Sequence, residues 1–291
     1  MNYTIKNDRL TVGISSRGAE LQSIKSADGA EYLWQGDARY WSDRATNIFP
    51  YVARLTNETY SYRGKEYKMK IHGFLSDSEL AAEQKSDSGI TFRLESNDET
   101  LAQYPFEFTY EIKYRLEGNK IFITFKVQNH DDKTMYFGLG GHPGFNVPLG
   151  ADGKFEDYFL EFSELSQPYR IGMTDTCFVT GVDATFELRG GRYLDLRHEM
   201  FDDDAIILRD MCRNVTLKSG CTGRSVTVDF PNLGYLGIWH RPKTDAGYVC
   251  IEPWSSLPAR DGVIEDIEKQ ENLVSLEAGE TYENCWSIEI N

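Results

Sequence analysis

Between residues 106 and 127 apolar and polar positions alternate with a period of two. Phe106, Phe108, Tyr110, Ile112, Tyr114 and Leu116 are interleaved with Glu107, Thr109, Glu111, Lys113, Arg115 and Glu117. Side chains two apart in an extended chain share a face, so this run predicts a strand with one buried and one solvated side. Gly118-Asn119 follows, a pair that tolerates the positive φ of a tight turn. Ile121, Ile123, Phe125 and Val127 then alternate with Phe122, Thr124 and Lys126, which completes a hairpin.

Shorter runs of the same kind occupy Thr91–Leu94, Phe159–Phe162, Val226–Phe230 and Ser287–Ile290. Helical periodicity is nearly absent, and only Ala38–Asp43 and Leu101–Tyr104 are expected to form brief helices. Many strands separated by turn residues predict antiparallel sheets packed face to face. Neither a Pro- or Ser-rich linker, a low-complexity tract nor a repeat interrupts the chain. Residues 1–291 are therefore expected to form a single domain.

Composition narrows the function. At 291 residues, with 40% hydrophobic and 13% aromatic content, the chain can fill a large core. Its net charge of −15 opposes binding to phosphate backbones and anionic lipid, so neither nucleic acid nor a membrane surface is an expected partner. A few local arginines would still admit a small anion within a Debye length. The start, MNYTIKNDRLTVGISS, lacks the charge and apolar run of a signal peptide, and no stretch approaches a membrane span. Cys177, Cys212, Cys221, Cys250 and Cys285 are odd in number without CxxC spacing. A cytoplasmic location is expected rather than a disulfide framework or zinc ribbon.

Several polar residues sit in apolar surroundings. His72 lies in KIHGF, His142 in GGHPGFN and Glu252 in CIEPW. Shielding raises the pKa of a carboxyl and lowers that of an imidazole, which brings both toward proton exchange at neutral pH. Gly140-Gly141 and Pro143-Gly144 around His142 predict a special turn that presents the ring. Glu252, between Ile251 and Pro253-Trp254, must be paired, protonated or catalytic, because a lone buried carboxylate is costly. Arg54, in VARLTN, reads as a surface ion pair or as a fork of donors for an oxygen-rich ligand. His72 reads equally as a core histidine. Asp202-Asp203-Asp204 reads as a solvated turn, although Asp204 abuts the apolar Ala205-Ile206-Ile207. His130, His198 and His240 are expected at the surface. HxxxH and HxH spacings are missing, as are a phosphate loop, GxGxxG and GxSxG, so no metal, nucleotide or other cofactor is expected.

Taken in order, NIFPYVARLTN, IHGF, GGHPGFNVP, FDDDAIIL and CIEPW resemble the aldose 1-epimerase (galactose mutarotase-like) family, and within it the branch of LacX-like proteins of bacterial sugar operons. The resemblance runs along the whole chain. It implies an all-β fold, a large antiparallel β-supersandwich with few short helices. It also implies a small-molecule sugar substrate and interconversion of α and β anomers by ring opening and reclosure. By the same resemblance His142 is the general acid, Glu252 the general base, and Arg54, His72 and Asp204 contact sugar hydroxyls. The acid and base are expected on opposite sides of the hemiacetal.

Three other readings remain. One is mutarotation of a hexose 6-phosphate, with Arg44 or Arg241 near C6. Another is a glycoside hydrolase using Asp204 and Glu252, which leaves the framed histidines without a use. The third is a non-catalytic sugar-binding protein on the same fold. The sequence leaves the oligomeric state open.

Overall fold

A computed structural model describes residues 1–151 and 153–291. Two large antiparallel sheets dominate it. The first has nine strands, in the order Tyr193–Asp195, Tyr158–Phe162, Asn214–Ser219, Ser225–Asp229, Thr281–Ile290, Lys120–Asn129, Phe108–Glu117, Gly89–Glu95 and Ala81–Ser86. The second has seven, in the order Ala184–Thr185, Tyr169–Arg170, Ile206–Arg209, Tyr235–Trp239, Tyr248–Trp254, Gly140–Asn146 and Ala45–Ile48. The chain is thus all-β and sandwich-like, as the period-two pattern requires. Small sheets flank the large ones, including one parallel pairing of Glu265–Asp266 with Thr59–Tyr62.

The predicted hairpin forms with Glu117 paired to Lys120. Gly118 takes φ 58° in its two-residue loop. Ile112, Tyr114, Ile121, Ile123, Phe125 and Val127 are buried, while Lys113, Arg115 and Glu117 are exposed. This buried face packs on the seven-stranded sheet. Phe49, just past Ala45–Ile48, sits 4.8 Å from the ring of Tyr110, and the amide of Asn47 donates to the Tyr114 hydroxyl at 3.1 Å.

Two local expectations change. Leu101–Tyr104 lies at the end of a helix that runs Asp98–Gln103, because the Asn97 side chain accepts from the Glu99 and Thr100 amides and caps it earlier. Ala38–Asp43 is a turn instead of a helix. The Tyr40 and Trp41 amides both reach the Asp37 carbonyl at 2.9 Å, and Trp41 then folds inward.

His142 does not sit in a turn. It lies mid-strand in Gly140–Asn146, a run buried almost throughout, and neither Gly140 nor Gly141 has positive φ. These glycines serve close packing. A Cβ on Gly140 would meet the Pro253 carbonyl at 2.6 Å, and one on Gly141 would meet the Trp286 ring at 2.5 Å. Trp286 belongs to the nine-stranded sheet, so Gly141 lets the two sheets approach directly beneath His142.

Candidate active site

One row of residues crosses five strands on the outer face of the seven-stranded sheet. His142 pairs with Thr46 on one side. On the other, the pairs Gly140–Trp254 and Gly144–Cys250 bracket the register and set His142 opposite Glu252. Glu252 in turn pairs with Gly237, and Gly237 with Ile207. Directly opposed residues of antiparallel strands point to the same face. Thr46, His142, Glu252 and Ile207 accordingly floor a cleft of about 600 Å³, within the size range of small-molecule sites. Arg54, His72 and Asp204 line its walls. All five residues singled out in the sequence therefore meet in one cavity.

Nε2 of His142 lies 3.1 Å from Oε2 of Glu252. His142 is 8% exposed and Glu252 1%. The two groups stand side by side on one surface, and not on opposite sides of a substrate. Their orientation falls short of a hydrogen bond: among the described residues Glu252 Oε2 has no partner, and neither does His142 Nδ1.

Burial dominates the titration of this pair. It pushes the His142 imidazole down to about 4, opposed by the residue's own backbone and then by the charge of Asp204. It raises the Glu252 carboxyl well above its usual range, and the charge of Asp204 adds to the rise. Each group is thus driven to its neutral form. A neutral imidazole with a neutral carboxyl holds one exchangeable proton, the same count as imidazolium with carboxylate. Moving that proton across 3.1 Å converts one form into the other.

The walls are built from unusual backbone. Ala53 (φ 56°), His72 (φ 63°), Cys177 (φ 67°) and Asp204 (φ 77°) are all left-handed non-glycine residues on the cleft. Such conformations cost about 1–3 kcal/mol each and persist where the surroundings enforce them. His72 Nδ1 accepts the Ala53 amide at 3.2 Å, so a neutral ring carries its proton on Nε2. Burial, then the charges of His142 and Arg54, hold this imidazole well below its usual pKa. Asp204 is half-buried while Asp202 and Asp203 are exposed. Its Oδ1 accepts the Ala205 amide at 2.8 Å and its Oδ2 the Cys177 thiol at 3.1 Å. The Cys177 thiol is pushed up to about 11 by burial and by Asp204. Among the described residues, no carboxylate lies within ion-pair distance of Arg54, so the surface ion pair does not form. Arg241 also lines the cleft without such a partner. Arg44 does not line it; its guanidinium donates to the Gln22 carbonyl and the Gln35 side chain.

Three tryptophans, Trp41, Trp239 and Trp254, complete the cleft. Only Trp254, beside Glu252, stood out in the sequence. Trp41 lay in a stretch read as a short helix, and Cys177 had no local signal at all. The ligand atoms of His142, Cys250 and Glu252 lie within 4.8 Å of one another, close enough to consider a metal ion. Cys250, however, is fully buried in a cluster with Ala246 and Tyr248, against which Trp34, Tyr40, Trp41 and Trp239 pack, and it does not line the cleft.

One histidine was misplaced by sequence. His240 is fully buried rather than at the surface, and His198 is half-buried. His240 Nδ1 bonds the Arg241 carbonyl at 2.7 Å, and its Nε2 lies 3.1 Å from His198 Nδ1. Both ring nitrogens are satisfied internally, which removes the usual penalty for burying an imidazole. His130 is exposed, as expected.

Comparison with known proteins bears on the family and the fold. A family model described as Aldose 1-epimerase matches residues 1–285. Protein LacX (plasmid) of Lactococcus lactis subsp. lactis is 37% identical over 265 residues, covering 88% of each chain. A galactose mutarotase related enzyme of Lactobacillus acidophilus superposes with a TM-score of 0.95 at 33% identity, covering 100% of this chain and 97% of that one. A galactose mutarotase-like protein of Lactobacillus casei ATCC 334 gives the same TM-score at 34% identity, with both chains fully covered. The chain belongs to the aldose 1-epimerase family.

Proposed function

We propose that this protein is a mutarotase that interconverts the α and β anomers of a cyclic hexose, with His142 and Glu252 as its acid–base pair. The observation that carries this reading is the 3.1 Å approach of the two groups on the cleft floor. A hemiacetal carbon bears two oxygens, the ring oxygen and the C1 hydroxyl. An acid and a base standing side by side match those two neighbouring oxygens.

In the working form Glu252 is a carboxylate and His142 an imidazolium. Glu252 takes the proton of the C1 hydroxyl while His142 Nε2 gives one to the ring oxygen. The bond from C1 to the ring oxygen breaks, leaving an open aldehyde, a neutral imidazole and a protonated carboxyl. Rotation about C1–C2 presents the other face of the carbonyl. The ring hydroxyl returns its proton to His142 as its oxygen attacks C1, and Glu252 gives its proton to the carbonyl oxygen. Both groups end as they began, with the anomer inverted. Arg54, the Nε2–H of His72 and the Asp204 carboxylate hold hydroxyls so that the open chain stays in register for reclosure.

A second reading is supported by Arg54 and Arg241, both cleft cations without an ion-pair partner among the described residues. They suit an anionic substituent on the sugar, such as a 6-phosphate. The third reading, a binding protein without turnover, gives no use to a buried carboxyl held 3.1 Å from an imidazole. One apolar cluster running from Ile5 to Ile290 supports a single domain. Five free cysteines support a cytoplasmic protein; no helix is long and apolar enough to cross a membrane.

Polarimetry of freshly dissolved α-aldoses, free and 6-phosphorylated, tests the proposal. Catalysed mutarotation at substoichiometric protein supports it. Stoichiometric sugar binding with no acceleration of any aldose would favour the binding protein instead.

A further inference from the structure

A histidine that carries charge in a reaction usually has its second ring nitrogen anchored. A carbonyl or carboxylate accepts from Nδ1–H, which fixes the ring and stabilises the imidazolium. His142 lacks such an anchor from another residue: among the described residues its buried Nδ1 meets no partner of hydrogen-bond geometry, and only the residue's own backbone lies close enough to favour its charged form. Aromatic rings surround it instead. The Trp41 indole centroid lies 4.9 Å from the imidazole centroid at an interplanar angle of 34°, a tilted contact. Trp239 stands nearly perpendicular at 5.6 Å and 78°, and His72 at 5.4 Å and 86°.

Trp41 is itself held firmly. Its carbonyl accepts the Trp34 indole N–H at 2.9 Å. Its ring stacks on Tyr248 at 5.7 Å and 30° and meets Trp239 edge-on at 5.6 Å. The residue two beyond His142 on its strand is Gly144, where a Cβ would come within 3.0 Å of Trp41 Cζ3. Any larger residue there would press on the indole that lies over the imidazole.

We propose that Trp41 is a positioning residue for the general acid: its indole face, in place of a hydrogen bond at Nδ1, orients the His142 ring and stabilises its imidazolium. This rests on the mutarotase reading above. The proton-transfer scheme assigns Trp41 no step, yet that scheme needs a cation where burial opposes one. An aromatic face within about 6 Å attracts a cation through its quadrupole, and more strongly once water is excluded. It does so without competing for the Nε2 proton that must reach the sugar. The other titratable neighbours of His142, namely Glu252, His72, Asp204 and Cys250, are unchanged in the variants below.

The test compares Trp41→Phe with Trp41→Leu by polarimetry and by an NMR titration of the His142 imidazole, assigned by its loss in His142→Ala. Trp41→Leu is expected to lower kcat about tenfold, in the range of a desolvated cation–π contact, with KM changed less than about threefold. The His142 titration moves to lower pH. Trp41→Phe, which keeps an aromatic face, retains kcat within about threefold and leaves the titration near wild type. If Trp41→Leu does not fold by circular dichroism, Trp41→Met takes its place as a non-aromatic side chain of greater length. Wild-type kcat and an unmoved titration in the non-aromatic variant would overturn the proposal, as would equal losses with Phe and Leu. The titration is read without substrate. Absence of mutarotation by the wild-type protein would therefore sink the enzyme reading alone, and the titration would still judge Trp41.

Discussion

His72 Nδ1 accepts the backbone amide of Ala53 at 3.2 Å, and the His72 amide donates back to the Ala53 carbonyl at 3.0 Å. Both residues take left-handed φ to make this double contact. It fixes the imidazole tautomer and leaves Nε2–H free to donate into the cleft. His72→Asn tolerates the same backbone, but its shorter side chain cannot reach as far. We expect KM to rise about tenfold with kcat nearly unchanged, the loss of roughly one hydrogen bond to a hydroxyl. Initial-rate polarimetry measures it; an equal loss in kcat would give His72 a part in the chemistry itself.

His142→Ala and Glu252→Gln should each lower kcat by about 10²-fold or more, the usual contribution of a positioned acid or base. Circular dichroism should show an intact fold in both. Substantial activity in either variant would remove that residue from the proton-transfer scheme.

The shifts of the two groups predict a bell-shaped pH dependence of kcat/KM. The pair works while it holds one proton. At low pH a second proton arrives, as His142 titrates near 4 with Glu252 already protonated. At high pH Glu252 releases the single proton, above the usual carboxyl range. Both limbs belong to the pair. Glu252→Gln should abolish the bell along with the activity, and a rate that rose monotonically with pH would contradict a shared proton.

Glu252 also bears on stability. Its folded-state pKa is raised above the ordinary 4.5, so the unfolded chain releases a proton that the folded protein keeps. Its contribution is fully present below pH 4.5 and is lost as pH rises toward the folded value. His142 acts in the opposite sense. Its folded pKa is depressed from 6.5 to about 4, so the unfolded chain binds the extra proton first and stability falls as pH drops across that window. We therefore expect Glu252→Gln to raise Tm at pH 7–8, since glutamine removes the charge the buried site resists. A lower Tm at that pH would mean the ionised carboxylate is stabilised where it stands.

Gly141→Ala should destabilise the protein by about 1–3 kcal/mol, the cost of overpacking a filled core. The new methyl would lie 2.5 Å from the Trp286 ring if nothing moved, so sheet separation must widen under His142. Urea denaturation would show a lower midpoint at unchanged slope. A neutral outcome would mean the two sheets are free to part at this point.

Much of the fold was legible in the sequence because strand faces are a local matter. Alternation from Phe106 to Val127 dictates which side chains are buried, whatever the strands pair with. The expectation that nucleic acid and anionic lipid are poor partners came from the sign of the net charge alone. His72, His142 and Glu252 were also visible one by one, as ionisable groups framed by apolar ones, while Arg54 and Asp204 joined the candidate site through the family resemblance. Register is different, because it depends on pairs of strands far apart in the chain. Only the tertiary structure set Glu252 opposite His142, turned the Gly-Gly pair from a supposed turn into a thin spot between two sheets, and buried His240 against His198. It also brought Trp41 against the imidazole from a segment whose pattern suggested only a short helix. Burial then decided the protonation of the pair, since desolvation is a property of the assembled core and of no single stretch of chain.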